Sequence, residues 1–105
     1  MAELTGSEIL AKCLKAEGVD DLFFIMGGPM LLAEAKCIEE GIRMIDVRHE
    51  QAAAFAAQAY SRVTQKPGIC MAASGPAAIN LSTGLANALI AVSYTHLTLP
   101  TILRV

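Results

Sequence analysis

The stretch IDVRHEQAAAFAAQAYSRV, residues 45–63, decides the fold class because it joins a strand pattern directly to a helix pattern. It begins with the β-branched Ile45 and Val47, which are typical of a strand. Six alanines follow between residues 52 and 59, and the only charged residues of the predicted helix 50–63 are Glu50 and Arg62. Small side chains on most sides of a helix indicate close packing against several neighbours.

His49 and Glu50 stand where this strand gives way to the helix. Taken alone, Glu50 is an ordinary acid in a first helical turn, where it complements the helix dipole. Its place at the buried end of an alanine-rich helix favours a second interpretation, in which desolvation raises the pKa of the Glu50 carboxyl and prepares it for proton exchange. His49 has two interpretations, a half-exposed turn residue or a partner of Asp46.

The rest of the chain alternates between helix and strand patterns. Apolar runs within residues 21–26, 42–47 and 66–74 are predicted strands, and residues 75–92 are a further predicted helix. Such alternation with short connections predicts an α/β fold, a parallel sheet with helices on both faces. Thr5 and Glu8 have the spacing of a capping box, and Gly18 and Gly41 are suited to end the first two helices. On the second helix, Leu31, Ala35 and Ile38 lie on one face.

The carboxyl ends of parallel strands meet at one edge of a sheet, where such folds bind ligands. We therefore expect the three strand-to-helix turns, near residues 27–29, 48–50 and 74–76, to converge on one rim. Gly27 and Gly28 are open to two interpretations, a tight turn with positive φ or a close approach of backbone to ligand. Ser74 is either a helix cap or part of an anion site at a helix start. Asn80, one turn further on, would point towards the same rim.

Bulk composition argues against several functional classes. The net charge is −2 with no basic run, which gives no reason to expect nucleic acid. The three cysteines lack metal-site spacing, and glycines, a proline and polar residues interrupt the uncharged residues 67–92 too often for a membrane span. We expect a cytoplasmic protein that binds neither nucleic acid nor membrane. No acidic residue follows Glu50, so we expect the second half to be covered by more chain or a partner.

Several motifs occur together in one order: GSEIL, LKAEGVDDLF before a Gly-Gly turn, RHEQAAAFAA, YSRVTQKPG and SGPAAINLSTGLANA. In this order and spacing, over about residues 4–92, the chain resembles the N-terminal pyrimidine-binding domain of thiamine-diphosphate-dependent enzymes. The most similar group is acetolactate synthase and its relatives, which include oxalyl-CoA decarboxylase, glyoxylate carboligase and benzaldehyde lyase.

The resemblance implies that Glu50 is the catalytic residue and hydrogen-bonds N1′ of the cofactor's aminopyrimidine. Sharing a proton there favours the 4′-imino form, which can deprotonate C2 of the thiazolium ring. By the same resemblance, Gly28, Pro76 and Asn80 join Glu50 in lining the cofactor pocket. The implied cofactor is thiamine diphosphate and the implied substrate is a small 2-keto acid or related acyl compound. The implied assembly is a homo-oligomer, a dimer or tetramer, with the alanine-rich helix at the subunit interface.

Some positions depart from the family pattern. Ala77 stands where a glycine is usual, and Gln65 replaces a glycine suited to a left-handed turn, at a cost of roughly 1 kcal/mol if its φ is positive. Phe24 and Met26 stand where many relatives carry glycine and proline. None of these positions is Glu50, but they leave the substrate open.

The extent of the resemblance also sets expectations. Residues 1–92 are predicted to be a partial pyrimidine-binding domain, and residues 93–105 a tail outside the family pattern, in which residues 100–105 fit a further strand. The family's Mg²⁺ and diphosphate motif has no counterpart, so we expect a domain absent from this chain to bind them and assign no metal ligand here. We expect this chain to be a truncated fragment, inactive alone. Two alternatives are a non-catalytic nucleotide- or anion-binding module and a subunit of a split thiamine-diphosphate enzyme.

Overall fold

The computed structural model describes residues 3–91, 96–98 and 102–104. The predicted alternation of helices and strands is confirmed, except that the helix predicted over residues 75–92 divides at Leu81 into two helices. In chain order the elements are α1 (Gly6–Ala16), β1 (Asp21–Phe24), a short 3₁₀ turn (Gly28–Met30), α2 (Leu31–Glu39), β2 (Arg43–Asp46), α3 (Glu50–Thr64), β3 (Ile69–Met71), α4 (Pro76–Asn80), α5 (Ser82–Ile90), β4 (His96–Thr98) and β5 (Ile102–Arg104).

The sheet has the strand order β2-β1-β3-β5-β4. Strand β1 pairs in parallel with both β2 and β3, so the three predicted strands form the predicted parallel sheet. Strand β5 lies within the tail segment that fits a strand, but it runs antiparallel to β3, and β4 runs antiparallel to β5. The sheet is therefore mixed, with its parallel part confined to the region that resembles the family.

Helices cover both faces of the parallel strands, as predicted. On one face α1 and α2 pack together, and on the other α3 packs against α5. The core of the first face contains Ala11, Leu22, Met30, Cys37 and Met71 among others. The core of the second face contains Ala53, Ala54, Ala57, Cys70, Leu81 and Ala88 among others.

Helix α3 makes unusually close contacts with its neighbours. A Cβ built on Gly84 of α5 would lie 2.3 Å from the Cβ of Ala54. A Cβ built on Gly68, just before β3, would lie 1.9 Å from the carbonyl oxygen of Ala57. Only glycine leaves room for the helix at these two points, so the small residues of α3 do serve close packing. The buried alanines of α3 are Ala53, Ala54 and Ala57, whereas Ala52 and Ala59 are exposed.

The local signals at the start of α1 and at the ends of α1 and α2 behave as the sequence predicts. The backbone N–H of Glu8 donates to Thr5 Oγ1 at 3.3 Å, and the Thr5 N–H donates to Glu8 Oε2 at 2.8 Å, which completes the capping box. Gly18 and Gly41 both adopt positive φ directly after their helices. Gln65 also has a positive φ, 59°, so the condition for a strain cost at this position is met. Its Nε2 donates to the carbonyl of Arg62 at 2.8 Å, which offsets part of the strain.

The buried face of α2 is a different one from the face that carries Leu31, Ala35 and Ile38. Met30, at the end of the 3₁₀ turn, is buried, and the inward face continues from it at helical spacing through positions 33, 34 and 37. The small side chains of Ala33 and Cys37 let α2 lie close to the sheet and carry Glu34 inward with them. The face that carries Leu31, Ala35 and Ile38 is exposed.

Glu34 is consequently a buried acid. Its relative exposure is 3%, and neither carboxyl oxygen makes a hydrogen bond of good geometry within the described residues. Burial raises the pKa of this carboxyl above its ordinary value, the backbone N–H of Gly27 opposes that rise, and the Asp46 carboxylate adds to it. The folded chain therefore holds the Glu34 proton more tightly than the unfolded chain does.

This environment predicts a pH-dependent gain in stability for Glu34→Gln. Because the pKa is raised on folding, the free energy of unfolding of the wild type falls as pH rises from the unfolded-state pKa through the folded-state pKa. The glutamine variant lacks this titration and should be more stable at pH 7–8 by on the order of 1 kcal/mol. The difference should shrink towards zero below about pH 4. Urea unfolding followed by circular dichroism measures both.

The matched control is Glu17→Gln, the same chemical change at the exposed end of α1. It should leave the pH dependence of stability unchanged. A Glu34→Gln variant that is no more stable than wild type at pH 8 would contradict a raised pKa for the buried Glu34 carboxyl. The same holds if the variant remains more stable than wild type below pH 4.

Candidate functional site

The three strand-to-helix turns converge, as predicted. Strands β2, β1 and β3 are parallel neighbours, so their carboxyl ends share one edge. The helix after β1 lies on one face of the sheet, and the helices after β2 and β3 lie on the other. In parallel sheets, such a change of face is where a ligand-binding crevice opens at the carboxyl ends of the strands. A Cβ built on Gly27 would lie 2.6 Å from the Cβ of Ala73, so the first and third turns are in contact.

The first turn differs from its predicted conformation. Gly27 has φ −139° and ψ 141°, and neither it nor Gly28 has a positive φ. The chain bends instead through the 3₁₀ turn, which Gly28 begins and in which Pro29 follows. Gly28 is exposed, and a Cβ built on it would meet no atom within 4 Å. Gly28 therefore keeps its second interpretation: it leaves open space at the rim, where a ligand can come close to the backbone.

The third turn is shaped by Gly75 rather than by Ser74. Gly75 is the N-cap of α4, with φ 72° and ψ −128°, and no side chain caps this helix. The predicted capping role of Ser74 is therefore wrong, because the left-handed φ places the cap position one residue later. Pro76 is the first residue of α4 and is exposed at the rim.

Glu50 and Asn80 are brought together by the fold. The Asn80 Nδ2 donates to Glu50 Oε2 at 3.0 Å, although 30 positions separate the two residues. Glu50 is the first residue of α3, and Asn80 is the last residue of α4. Of the four predicted cofactor-binding residues, these two are in direct contact. Gly28 and Pro76 lie in the flanking turns and make no hydrogen bond to Glu50 within the described part of the chain.

The charge state of Glu50 differs from the prediction. Its own backbone N–H and the Asn80 side chain lower the pKa of the Glu50 carboxyl, partial burial opposes them, and His49 lowers it further. The predicted rise in pKa is wrong because the carboxylate is only half-buried and sits among the unpaired N–H groups of a helix start. The result is an ionised hydrogen-bond acceptor at the edge of the crevice.

His49 has a role that the sequence did not reveal. It is the N-cap of α3, and its Nδ1 accepts a hydrogen bond from the backbone N–H of Gln51 at 3.0 Å. It makes no hydrogen bond to Asp46 within the described residues. Its position directly before the first helical acid was an available signal, but histidine is not among the preferred N-cap residues. An open pocket of about 330 Å³ lies beside it, lined by His49, Gln51, Ala52 and Phe55.

Two kinds of feature are absent from the described ranges 3–91, 96–98 and 102–104. No group of three or more histidine, cysteine, aspartate or glutamate residues there could hold a metal ion. None of the helices there is both long enough and apolar enough to cross a membrane.

The contact between Asn80 and Glu50 predicts the effect of Asn80→Ala. Because an N–H donor favours the charged form of a carboxyl, its removal should raise the pKa of Glu50 towards the ordinary value. A ¹³C NMR titration of the side-chain carboxyl measures this pKa directly.

Asn87→Ala is the matched control, since the Asn87 Nδ2 donates to Gln58 Oε1 at 2.7 Å elsewhere in the same face of the fold. The Asn87→Ala variant should leave the pKa of the Glu50 carboxyl unchanged. An unchanged midpoint in Asn80→Ala, or an equal change in both variants, would show that the hydrogen bond does not stabilise the ionised carboxylate.

Comparison with known proteins adds sequence relatives to this geometry. The family model described as "Thiamine pyrophosphate enzyme, N-terminal TPP binding domain" matches residues 4–93. The "Acetolactate synthase large subunit IlvG" of Mycobacterium tuberculosis is 45% identical over 80 residues, which is 76% of this chain and 15% of the relative. "Acetolactate synthase 2, chloroplastic" of Nicotiana tabacum is 46% identical over 86 residues, 81% of this chain and 13% of the relative.

A third relative is the "Acetolactate synthase isozyme 2 large subunit" of Escherichia coli. It is 41% identical over 87 residues, which is 83% of this chain and 16% of the relative. The chain therefore spans only a small part, between 13% and 16%, of the length of these relatives.

Proposed function

The chain belongs to the family of thiamine pyrophosphate enzyme N-terminal domains, and we propose that it forms the pyrimidine-binding part of an acetolactate synthase-like decarboxylase or carboligase. Thiamine pyrophosphate and thiamine diphosphate are the same cofactor. The family assignment rests on a match over residues 4–93 and on relatives more than 40% identical.

One observation carries the proposal: an ionised glutamate stands at the crevice and is held by an asparagine from a neighbouring turn. The chemistry of these groups fits an aminopyrimidine ring, because a carboxylate with a lowered pKa accepts a hydrogen bond from a protonated ring nitrogen. The open space at Gly28 gives a flat ring room to lie against the first turn. Pro76, exposed at the start of α4, would line the opposite side of the pocket.

In this proposal the work of the chain is to hold a proton at one atom. Glu50 accepts the hydrogen bond from N1′ of the aminopyrimidine and shares its proton. Asn80 keeps the Glu50 carboxylate oriented through the bond to Oε2. The bound cofactor supplies the nucleophilic carbon and the electron sink for decarboxylation of a 2-keto acid.

The substrate and the remaining cofactor contacts are also proposals. The relatives are named as acetolactate synthases, which supports a small 2-keto acid or related acyl substrate for the protein that contains this domain. We propose that the diphosphate group and Mg²⁺ are held by residues outside this chain, which covers at most 16% of those three relatives. On that basis the chain alone would be inactive.

The proposed role of Glu50 predicts a loss of catalysis in Glu50→Gln. In the full-length protein that carries this domain, the neutral amide cannot share the N1′ proton, so kcat for decarboxylation should fall by about 100-fold or more. Steady-state decarboxylation assays of purified wild type and variant make the comparison.

Glu17→Gln, an exposed change on α1, should retain wild-type kcat in the same assay. A Glu50→Gln enzyme that decarboxylates at the wild-type rate would refute the assignment of Glu50 as the activating acid.

A second copy of the domain is the proposed occupant of the outer surface of the second face. Several large apolar side chains of α3, α4 and α5 are exposed there, and the family resemblance implies subunit contacts through the alanine-rich helix. Burial of apolar surface of this kind drives association. These residues are Phe55 with 36% exposure, Val63 with 84%, Ile79 with 71%, Leu89 with 65% and Ile90 with 82%.

The proposed contact predicts that the 105-residue chain self-associates. Introducing charge with Val63→Lys and Ile90→Lys together should shift the chain towards monomer, because a lysine in a buried apolar contact must be desolvated. Sedimentation velocity over a range of concentrations measures the distribution of species.

Leu32→Lys is the matched control, an equally drastic change at a residue of α2 that is 72% exposed on the other face. It should leave the association as it is. A wild-type chain that sediments as a monodisperse monomer at all concentrations would rule out a contact at this surface.

A further inference from the structure

The start of α3 is tied to His49 by both its side chain and its main chain. The residue has extended backbone, φ −153° and ψ 143°, and its Nδ1 accepts from the N–H of Gln51 at 3.0 Å. Its carbonyl oxygen accepts from the N–H groups of Ala52 and Ala53 at 3.0 and 3.4 Å. His49 therefore accepts hydrogen bonds from three backbone N–H groups at the start of the helix that begins with Glu50.

This geometry fixes the proton on the other ring nitrogen. A backbone N–H can only donate, so Nδ1 of His49 must present its lone pair and the ring proton must lie on Nε2. An imidazolium has no lone pair and cannot make this bond. It would also place a positive charge at the positive end of the helix dipole, where a cation is unfavourable.

We propose that His49 is a positioning residue, which aligns Glu50 by capping α3 as the neutral Nε2–H tautomer and releases that alignment when the ring is protonated. The inference deepens the proposed function, on which the catalytic meaning of Glu50 rests, but the cap itself concerns only this chain.

The charges that act on His49 lie mainly in its own segment. Arg48 and Glu50 flank it, with opposite signs, and Asp46 ends the preceding strand. The segments Pro76–Asn80 and Ser82–Ile90, which pack against α3, contain no ionisable side chain. Of the two strands in contact with α3, β3 carries the buried Cys70, and β1 carries Asp21 at its amino end, away from the rim.

Nitrogen NMR of the ¹⁵N-labelled 105-residue chain tests the proposal, with Val63→Lys and Ile90→Lys as a background that favours monomer. Long-range proton–nitrogen spectra should show the Nε2–H tautomer of His49 above neutral pH. On acidification, the Gln51 amide, the Asn80 side-chain amide and the Glu50 carboxyl should all shift with the titration of the His49 ring. His96→Gln identifies the signals of the other histidine.

Two variants separate positioning from a merely structural role. His49→Ala, which lacks an acceptor, should speed hydrogen exchange of the Gln51 amide by roughly fivefold above neutral pH, where the wild-type ring accepts the hydrogen bond. His49→Asn retains an acceptor that does not titrate, so it should keep the Gln51 amide protected and abolish the coupled acid shift of the Asn80 amide. That rescue depends on the acceptor and its titration, not on the size of the side chain.

Two results would overturn the proposal. One is an Nδ1–H tautomer of His49 above neutral pH. The other is a Glu50 carboxyl and Asn80 amide whose signals ignore the titration of the His49 ring. Neither measurement involves the cofactor, so failure here is distinct from failure of the proposed function, which the decarboxylase activity of Glu50→Gln reports.

Discussion

The close approach of α3 to its neighbours is the constraint on which the site depends. At Ala54 and Ala57 the helix comes so near to Gly84 and Gly68 that a single added carbon would collide. Contacts of this kind leave a packed helix little freedom to slide or rotate. The first residue of α3, Glu50, is therefore fixed at the carboxyl edge of the sheet. The same contact holds α5, and with it the preceding short helix that carries the Asn80 side chain to Glu50.

Two carboxyl groups near this edge have opposite environments. Glu34 is carried into an apolar face, where burial raises its pKa. Glu50 stands among helix N–H groups and an asparagine amide, which lower its pKa. Environments that shift the pKa values of two acids in opposite directions allow residues of the same type to have different protonation states in one protein. An anionic acceptor at the crevice is the state that the proposed contact with a protonated ring nitrogen requires.

Much of the fold followed from local patterns. The alternation of helix and strand patterns along the chain predicted helices on both faces of a parallel sheet. The spacing of Thr5 and Glu8 predicted a capping box. The positive φ of Gln65 fits a position where the family pattern has a glycine. These features depend on neighbours within a few residues, which is why they can be read from sequence. Errors arose where two local solutions compete, as at Gly27 and Ser74, since nearby residues allow several turn geometries.

The sequence by itself therefore determined the class of fold, the family and the position of Glu50 at the start of α3. Only the tertiary structure decided the chemical state of that glutamate, because its partner Asn80 lies 30 positions away and the pKa depends on that contact. It also decided that Glu34 is buried, because the inward face of α2 is set by packing against the sheet. The cap by His49 belongs to the same group, since it depends on the orientation of a ring within a turn.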